Sequence, residues 1–545
     1  MLLTALGLRL YRLAPVDVGL LYAQDADEGV YATTAQLALQ GFMPYRDFFT
    51  PMPPAAIYGF MAVLRVFYHP WGSAVGLMAL RYTCVALGVL TVWLTYHAAA
   101  MIGGHWAGLL AASLLAIDGI VVAQDRRAML EAPTNLLSLL AVLSYLLALR
   151  SASRERWRDS ASPNRWRDSA TGGRRRLGGT GVRKQDLFIL SSGFFCALAL
   201  LTKGTALVPL LLVGLHLLMR RHWRQVLWFA GSFVASYLLC ASVFLLGCPV
   251  EFLKQNYFFH FLRPWDGTVN PLARLAEMWG YTWSWTTVRF ALVGAVVMLF
   301  MGKKARHADL WWVVLTWAGL MLFLLLGSRT FWATYFSQLA VPCCILGGLA
   351  LNDELDQHAH SLMDRLPLHF RWPALQILLL ASTLALGYPR LRLQYNTTRG
   401  ALEQIKPVYP EITGYINQHI PSGAPILAFE TNYTFLSSHP PAGARDGSFF
   451  IDSYGEMLYR NLHIPERTIV ELLVSWAQQE RIGTREVFHR EPAQVEVRRV
   501  FERAPYMVLD GRALKQLTEE TSAYLQTHSQ LLESAYASEL RLRAQ

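Results

Sequence analysis

The sequence predicts a polytopic α-helical membrane protein carrying a small α/β domain outside the membrane, and three observations predict it. First, 53% of the 545 residues are apolar and only 16% are charged, with a mean hydropathy of +0.28, too apolar for a string of soluble domains. Second, apolar stretches approaching the roughly 20 residues that cross a hydrocarbon core recur from Ala74 to Tyr388, each bounded by charge or by Gly/Pro. Third, the pattern changes after residue 388 to short apolar runs and amphipathic stretches punctuated by Pro407, Pro410, Pro421, Pro425, Pro440 and Pro441. The chain thus divides into a membrane unit, residues 1–388, and a soluble unit, residues 389–545.

Charge sets the orientation. The formal net charge of +11 would suit a nucleic-acid binder, but between Arg150 and Lys184 eleven basic residues face three acidic ones, so one loop holds most of the surplus. A basic loop of this size between spans stays cytoplasmic, against anionic lipid. Residues 150–185 therefore lie inside, and the charge argues for a membrane surface rather than nucleic acid. Within the loop, Arg156-Trp157-Arg158-Asp159-Ser160-Ala161 repeats as Arg165-Trp166-Arg167-Asp168-Ser169-Ala170 before Gly- and Arg-rich sequence, the composition of a solvated linker.

With that loop inside, ten spans follow at residues 78–100, 106–123, 133–149, 187–202, 205–219, 226–247, 288–301, 309–327, 334–351 and 373–388. Arg220, Arg221 and Arg224, then Lys303, Lys304 and Arg306, then Arg365 and Arg371, all fall inside. Residues 23–73, 124–132 and 248–287, the turns at Lys203 and Arg329, and the soluble unit fall outside. Residues 1–8 are apolar but too short to span, so the reading expects a true start upstream that supplies the rest of a first span. Five of the six cysteines lie in apolar spans and none is in a CxxC pair, which makes them small core residues. In the soluble unit, residues 425–429 and 506–509 read as strands, and 466–480 and 513–528 as amphipathic helices.

The residues able to do chemistry cluster outside. The first external segment opens Asp25-Ala26-Asp27-Glu28-Gly29 and continues as a helix to Gln40. Asp27 and Glu28 then stand at the helix N-terminus, where the dipole favours negative charge and Asp27 also suits a cap. A carboxylate at the water–lipid boundary can act as general base on an acceptor hydroxyl or amine. Glu131, on the external turn Arg126-Arg127-Ala128-Met129-Leu130-Glu131, is a second acid, which can orient the acceptor, share a divalent metal with Asp27, or pair with Arg126 or Arg127. Lys203 and Arg329 are cations on two other external turns, suited to a phosphate leaving group or to anchoring at the interface.

The acidic pair, Tyr45-Arg46-Asp47 followed by Pro53-Pro54, the Arg126–Glu131 turn, Thr202-Lys203-Gly204 and Tyr335-Phe336-Ser337-Gln338 together resemble bacterial glycosyltransferases of the protein O-mannosyltransferase and aminoarabinose transferase group. The resemblance covers residues 8 to 350, and the order of motifs is more specific than any one of them. It implies a C-type glycosyltransferase fold and a polyprenyl-phosphate-linked sugar as donor. By the same resemblance Asp27 matches the catalytic aspartate, with Glu28 beside it. Glu131 stands where the group has a second acid, usually Asp, and Lys203, Arg329, Tyr335 and Gln338 fall at the lipid-phosphate end. Where relatives often carry a basic residue before the Pro-Pro pair, this chain has Met52, and Arg46 is close enough in sequence to replace that cation.

The function expected is transfer of a sugar from a polyprenyl-phosphate carrier to an extracytoplasmic protein, lipid or glycan, by a multi-pass enzyme of the cell membrane. A transporter or flippase, or a lipid-linked-glycan polymerase or ligase, is the alternative. Transporters usually show internal repeats and charge at mid-membrane, and here the acids gather outside. The soluble unit carries no constellation of nucleophile, base and orienter, and its expected role is acceptor recognition or structural cover.

Overall fold

The computed structural model describes residues 1–11, 13, 26–161, 183–280, 285–301, 308–351, 408–443, 450–462, 484–535 and 538–544. The expected span 373–388, the helix at 466–480, the second copy of the arginine repeat and the basic ends at Lys303, Lys304, Arg306, Arg365 and Arg371 lie outside these residues.

The membrane unit begins with α1 (Leu2–Leu10), α2 (Ala26–Leu39) and α3 (Pro54–Gly103). The third helix starts far earlier than the apolar pattern implies, because Pro53 and Pro54 initiate it and a kink at Gly72, with φ of 85° just after Pro70, lets two helices join without a loop. Next come α4 (His105–Ile117) and α5 (Gly119–Asp125), which together pass for one span but bend by 64°. Asp118 makes the bend: its Oδ1 accepts the N–H groups of Ile120 and Val121 and its Oδ2 accepts Thr287 Oγ1 at 2.6 Å, capping the second helix within the protein.

The helices α6 (Glu131–Ala161), α7 (Lys184–Leu200), α8 (Leu207–Met219) and α9 (Trp223–Gly247) follow, then α10 (Pro249–Leu253) and α11 (Phe259–Leu262) flanking a π-turn. The unit closes with α12 (Pro271–Gly280), α13 (Trp285–Met301), α14 (Ala308–Gly327) and α15 (Phe336–Gly348), with two short parallel strands, β1 (Asp266–Gly267) and β2 (Thr330–Phe331), paired beside them. Among the described residues four helices are long and apolar enough to cross a membrane, or five if the bent pair counts as one span. The other expected spans in the described region are shorter apolar helices, α7, α8, α13 and α15. Exposed Leu227, Leu239 and Leu246 along α9, and Leu292 and Leu299 along α13, give these helices an apolar outer face, which a bilayer covers without cost.

The soluble unit builds on a four-stranded sheet ordered β3 (Ile426–Ala428), β4 (Tyr506–Leu509), β6 (Ser538–Arg543) and β5 (Ser529–Ala535). Strands β3 and β4 run parallel, and β6 lies antiparallel to both β4 and β5. Around it lie α16 (Val408–His419), α17 (Asn432–Ser437), α18 (Ser453–Asn461), α19 (Thr484–Phe488), α20 (Glu491–Arg503), α21 (Gly511–Gln516) and α22 (Glu519–Thr527). The expected helix at 513–528 is divided into α21 and α22, because Thr518 adopts an extended conformation and caps the second through Thr521 N–H. Both expected strands are present.

The two units share a core. Phe49 of the first external loop and Phe259 and Leu262 of α11 are buried among Phe429, Met457, Leu458, Val497 and Phe501 of the soluble unit. Gly29 of α2 packs so tightly on Asn432 that a Cβ there would meet its side chain at 2.5 Å. Asn432 is accordingly buried.

Candidate active site

In α2, Asp27 and Glu28 occupy the first turn. Consecutive helical residues point roughly 100° apart, and this separates the pair. Asp27 opens onto a cavity of about 510 Å³ between the membrane and soluble units. Glu28 turns inward, 1% exposed, where it takes two bonds from Arg81 at 2.8 and 2.5 Å and the N–H of Ala128 at 2.6 Å. Glu28 therefore ties α2 to α3 and to the turn before α6, away from the cavity that Asp27 lines. Once the helix begins at Ala26 rather than after Glu28, the second carboxylate is carried to the buried side.

Glu131, the first residue of α6, lies in the same cavity wall. Its partner is neither Arg126, whose guanidinium donates to the Tyr11 carbonyl at 2.6 Å, nor Arg127, but Lys203, with Nζ 2.5 Å from Glu131 Oε1. The Lys203 ammonium also lies 4.7 Å from the centre of the Tyr335 ring. Burial alone would lower the lysine pKa, but the Glu131 and Asp27 carboxylates and the Tyr335 hydroxyl outweigh it and hold the group above its ordinary value, hence charged. The Ala55 N–H donates to Leu201 O at 2.9 Å, which fixes the lysine turn to the start of α3.

A further cation enters from the loop after α9. Gln255 in the π-turn donates to Tyr45 O at 2.8 Å and accepts from Thr50 N–H at 3.0 Å, while Tyr45 O–H donates to Met52 O at 2.6 Å. These bonds clasp the first external loop and bring Pro51, Met52 and Pro53 to the cavity opposite His260 and Arg263. The Arg263 guanidinium lies against the rings of Phe259 and Tyr454 and 4.0 Å from Asp266. Burial, together with the Arg263 and Lys203 charges, pushes His260 down to about 4, so its ring is neutral near pH 7.

The soluble unit forms the remaining wall with Asp452, Tyr454 and Gly455 of the α18 end and Arg512, Lys515 and Gln516 of α21. Gly455 is required here, since a Cβ would meet the Phe49 ring at 2.8 Å. Around the cavity four cations, Lys203, Arg263, Arg512 and Lys515, face three carboxylates, Asp27, Glu131 and Asp452. Three polar atoms of lining residues are buried with no hydrogen-bond partner among the described residues: Glu131 Oε2, Arg263 Nε and Gln516 Oε1. Buried polar atoms are rarely left so, and in a cavity wall they mark places for a ligand.

Of the residues singled out from sequence, Asp27, Glu131, Lys203 and Tyr335 converge on the cavity. Three do not. Arg46 is exposed, its fork closed on Asp47 at 2.7 and 2.9 Å, so it does not replace the cation absent at Met52. Arg329 reaches the Arg263 carbonyl at 3.4 Å and is absent from the lining, and buried Gln338 lines a separate small void with Asn135 and Trp317. Sequence reading missed Arg263, Asp452, Arg512, Lys515 and Gln516. Of the two acids considered for a metal, Glu131 has one oxygen taken by Lys203, and among the described residues no three of His, Cys, Asp and Glu form an all-protein cation site.

Comparison with known proteins bears on the fold. The model of the family described as dolichyl-phosphate-mannose-protein mannosyltransferase matches residues 68–162, a segment that holds Glu131 but not Asp27 or Lys203. The structure of ArnT from Cupriavidus metallidurans in the apo state matches with a TM-score of 0.57 at 14% identity over 94% of this chain and 92% of that one. The same protein bound to undecaprenyl phosphate matches at 0.55 and 13% over 96% of each chain. The oligosaccharyltransferase AglB from Archaeoglobus fulgidus, in complex with an inhibitory peptide and a dolichol-phosphate, matches at 0.55 and 12%, over 100% of this chain and 73% of that one. No protein of curated function matches by sequence. The likenesses extend over nearly the whole chain, so the fold expected from the motif order is the fold observed.

Proposed function

We propose that this membrane glycosyltransferase of the C-type fold transfers a sugar from a polyprenyl-phosphate carrier to an acceptor on the extracytoplasmic side, with Asp27 as general base. The observation that carries the proposal is the convergence of Asp27 with Lys203 and Arg263 in one cavity between the membrane helices and the soluble unit, where polar atoms are left unpaired. In the reaction, an acceptor oxygen or nitrogen attacks the anomeric carbon and its proton passes to Asp27. The bond from that carbon to the carrier phosphate oxygen breaks, and the electron pair leaves with the phosphate.

The phosphate gains charge as it leaves. A preorganised cation stabilises that charge more in the transition state than in the ground state. Lys203 is suited to the task because Glu131 and Tyr335 hold it in place, and Arg263 because its Nε has no hydrogen-bond partner among the described residues. Glu131 is then a positioning group for Lys203, with Oε2 left to accept from a substrate hydroxyl. A relative in this fold has been seen with undecaprenyl phosphate and another with a dolichol-phosphate, which supports a lipid monophosphate as the carrier. The positive-inside bias of residues 150–185 supports an outward-facing cavity.

The test is to incubate the purified enzyme with a panel of undecaprenyl- and dolichyl-phosphate sugars, mannose first, and to measure release of the free carrier phosphate. Turnover of at least one donor, lost in Lys203→Ala, is expected. Turnover of none overturns the proposal.

A further inference from the structure

The soluble unit does more than cover the cavity. The capping carboxylate Asp510 follows β4, and its Oδ1 takes the N–H groups of Arg512 and Ala513, both at 2.8 Å. This fixes the backbone of α21 so that Arg512, Lys515 and Gln516 all reach the cavity. The Arg512 side chain is 18% exposed and lies 3.8 Å from Asp452 Oδ1. Among the carboxylates that act on it, Asp27 comes first, ahead of Asp452, Glu430 and Asp510, and together they raise its pKa against the opposing effect of burial. The contact of Gly29 with Asn432, two residues from Asp27, sets the spacing between α2 and the soluble unit. Asp27 thus lines one cavity with two cations of different origin, Lys203 from a membrane turn and Arg512 from the soluble unit, and its charge acts on both.

We infer that Arg512 is a positioning residue of the transfer reaction: its guanidinium draws the Asp27 carboxylate across the cavity into the orientation from which it takes the acceptor proton. The inference rests on Asp27 being the base. Lys203 alone would draw Asp27 toward the carrier-phosphate end, where it could not meet an acceptor arriving on the far side of the sugar. A cation on the opposite wall holds the carboxylate between the two. The soluble unit then completes the catalytic centre, and membrane helices without it would bind a carrier but transfer poorly.

The test uses the full-length enzyme in detergent with the polyprenyl-phosphate sugar that turns over. Arg512→Ala should lower kcat by about 10- to 100-fold, the range of a lost orienting contact, and leave the donor KM within about twofold. Arg512→Lys should keep part of the rate. Millimolar guanidinium should restore part of the Arg512→Ala rate and none of the rate of Asp27→Asn/Arg512→Ala. A purely structural role through Asp452 would not respond to added guanidinium. Arg512→Ala at the wild-type kcat, or with a loss that guanidinium leaves untouched, overturns the inference. Asp27→Asn at full rate overturns the base assignment itself, whatever the Arg512 variants do.

Discussion

The two walls of the cavity are built differently. The membrane wall takes Asp27, Glu131, Lys203 and Tyr335 from helix ends and turns, and Lys203 there is held by Glu131 and Tyr335 from other elements. The soluble wall takes Asp452, Arg512, Lys515 and Gln516 from two short helices whose positions depend on capping by Asp452 and Asp510. The difference teaches where chemistry and where adaptability reside. A charge beside lipid is costly to place, so under the proposed function the membrane wall is the fixed part that meets the donor. The soluble wall is set by loop and cap geometry, which can vary without disturbing the spans, and is the natural place to choose an acceptor.

The sharpest way to break this contrast is Lys203→Ala, which removes the cation of the membrane wall and strands Glu131. Transfer is expected to fall by about 100-fold or more, with Lys203→Arg partly active. Equal rates in wild type and Lys203→Ala would show that the membrane wall does not handle the phosphate. A second test separates chemistry from scaffolding. Glu28→Gln removes a buried counter-charge of Arg81, a loss on the order of 3–5 kcal/mol. Thermal inactivation should come much earlier while kcat per folded molecule stays within about threefold of wild type. Unchanged thermal stability would contradict the scaffolding role.

A smaller effect is expected in the soluble unit. Burial pushes Glu456 up to about 8, and the nearby Glu496 and Asp452 add to this against the opposing Arg460. The folded chain then keeps a proton that the unfolded chain has released above the ordinary value near 4.5. Stability contributed by the protonated form is fully present below that value and declines as pH rises toward about 8. Melting temperature measured across this window should decline less in Glu456→Gln than in wild type, and parallel curves would count against the assignment. The smallest effect belongs to Arg46→Ala. With its fork closed on Asp47 outside the cavity, the variant should transfer within about twofold of wild type, and a large loss would return Arg46 to the carrier site.

How much was legible in the sequence follows the same division. Asp27, Glu131 and Lys203 stood out because a charge between apolar runs is rare and its position along a span is readable. Arg512 and Asp452 sit in polar sequence among many similar residues, and only the parallel pairing of β3 with β4 and the packing of Gly29 on Asn432 bring their wall to the cavity. Arg263 was hidden similarly, since the bonds of Gln255 to Tyr45 and Thr50 span more than 200 residues of sequence. The burial of Glu28 was hidden for another reason: the helix starts three residues earlier than the sequence suggests, and on a helix that decides which of two neighbours faces the cavity. The bend at Asp118 had no hydropathy signal either, because it rests on a cap made inside an apolar stretch.

The central claim is that, of two adjacent carboxylates, one does chemistry and the other holds the fold. The most direct test compares the rate of sugar transfer by purified Asp27→Asn and Glu28→Gln with wild type, per folded molecule and at a temperature where all three are folded. The account predicts a fall of about 100- to 10,000-fold for Asp27→Asn, the range for loss of a general base, and a near-normal rate for Glu28→Gln. A wild-type rate in Asp27→Asn, or an equal loss in Glu28→Gln, would contradict it.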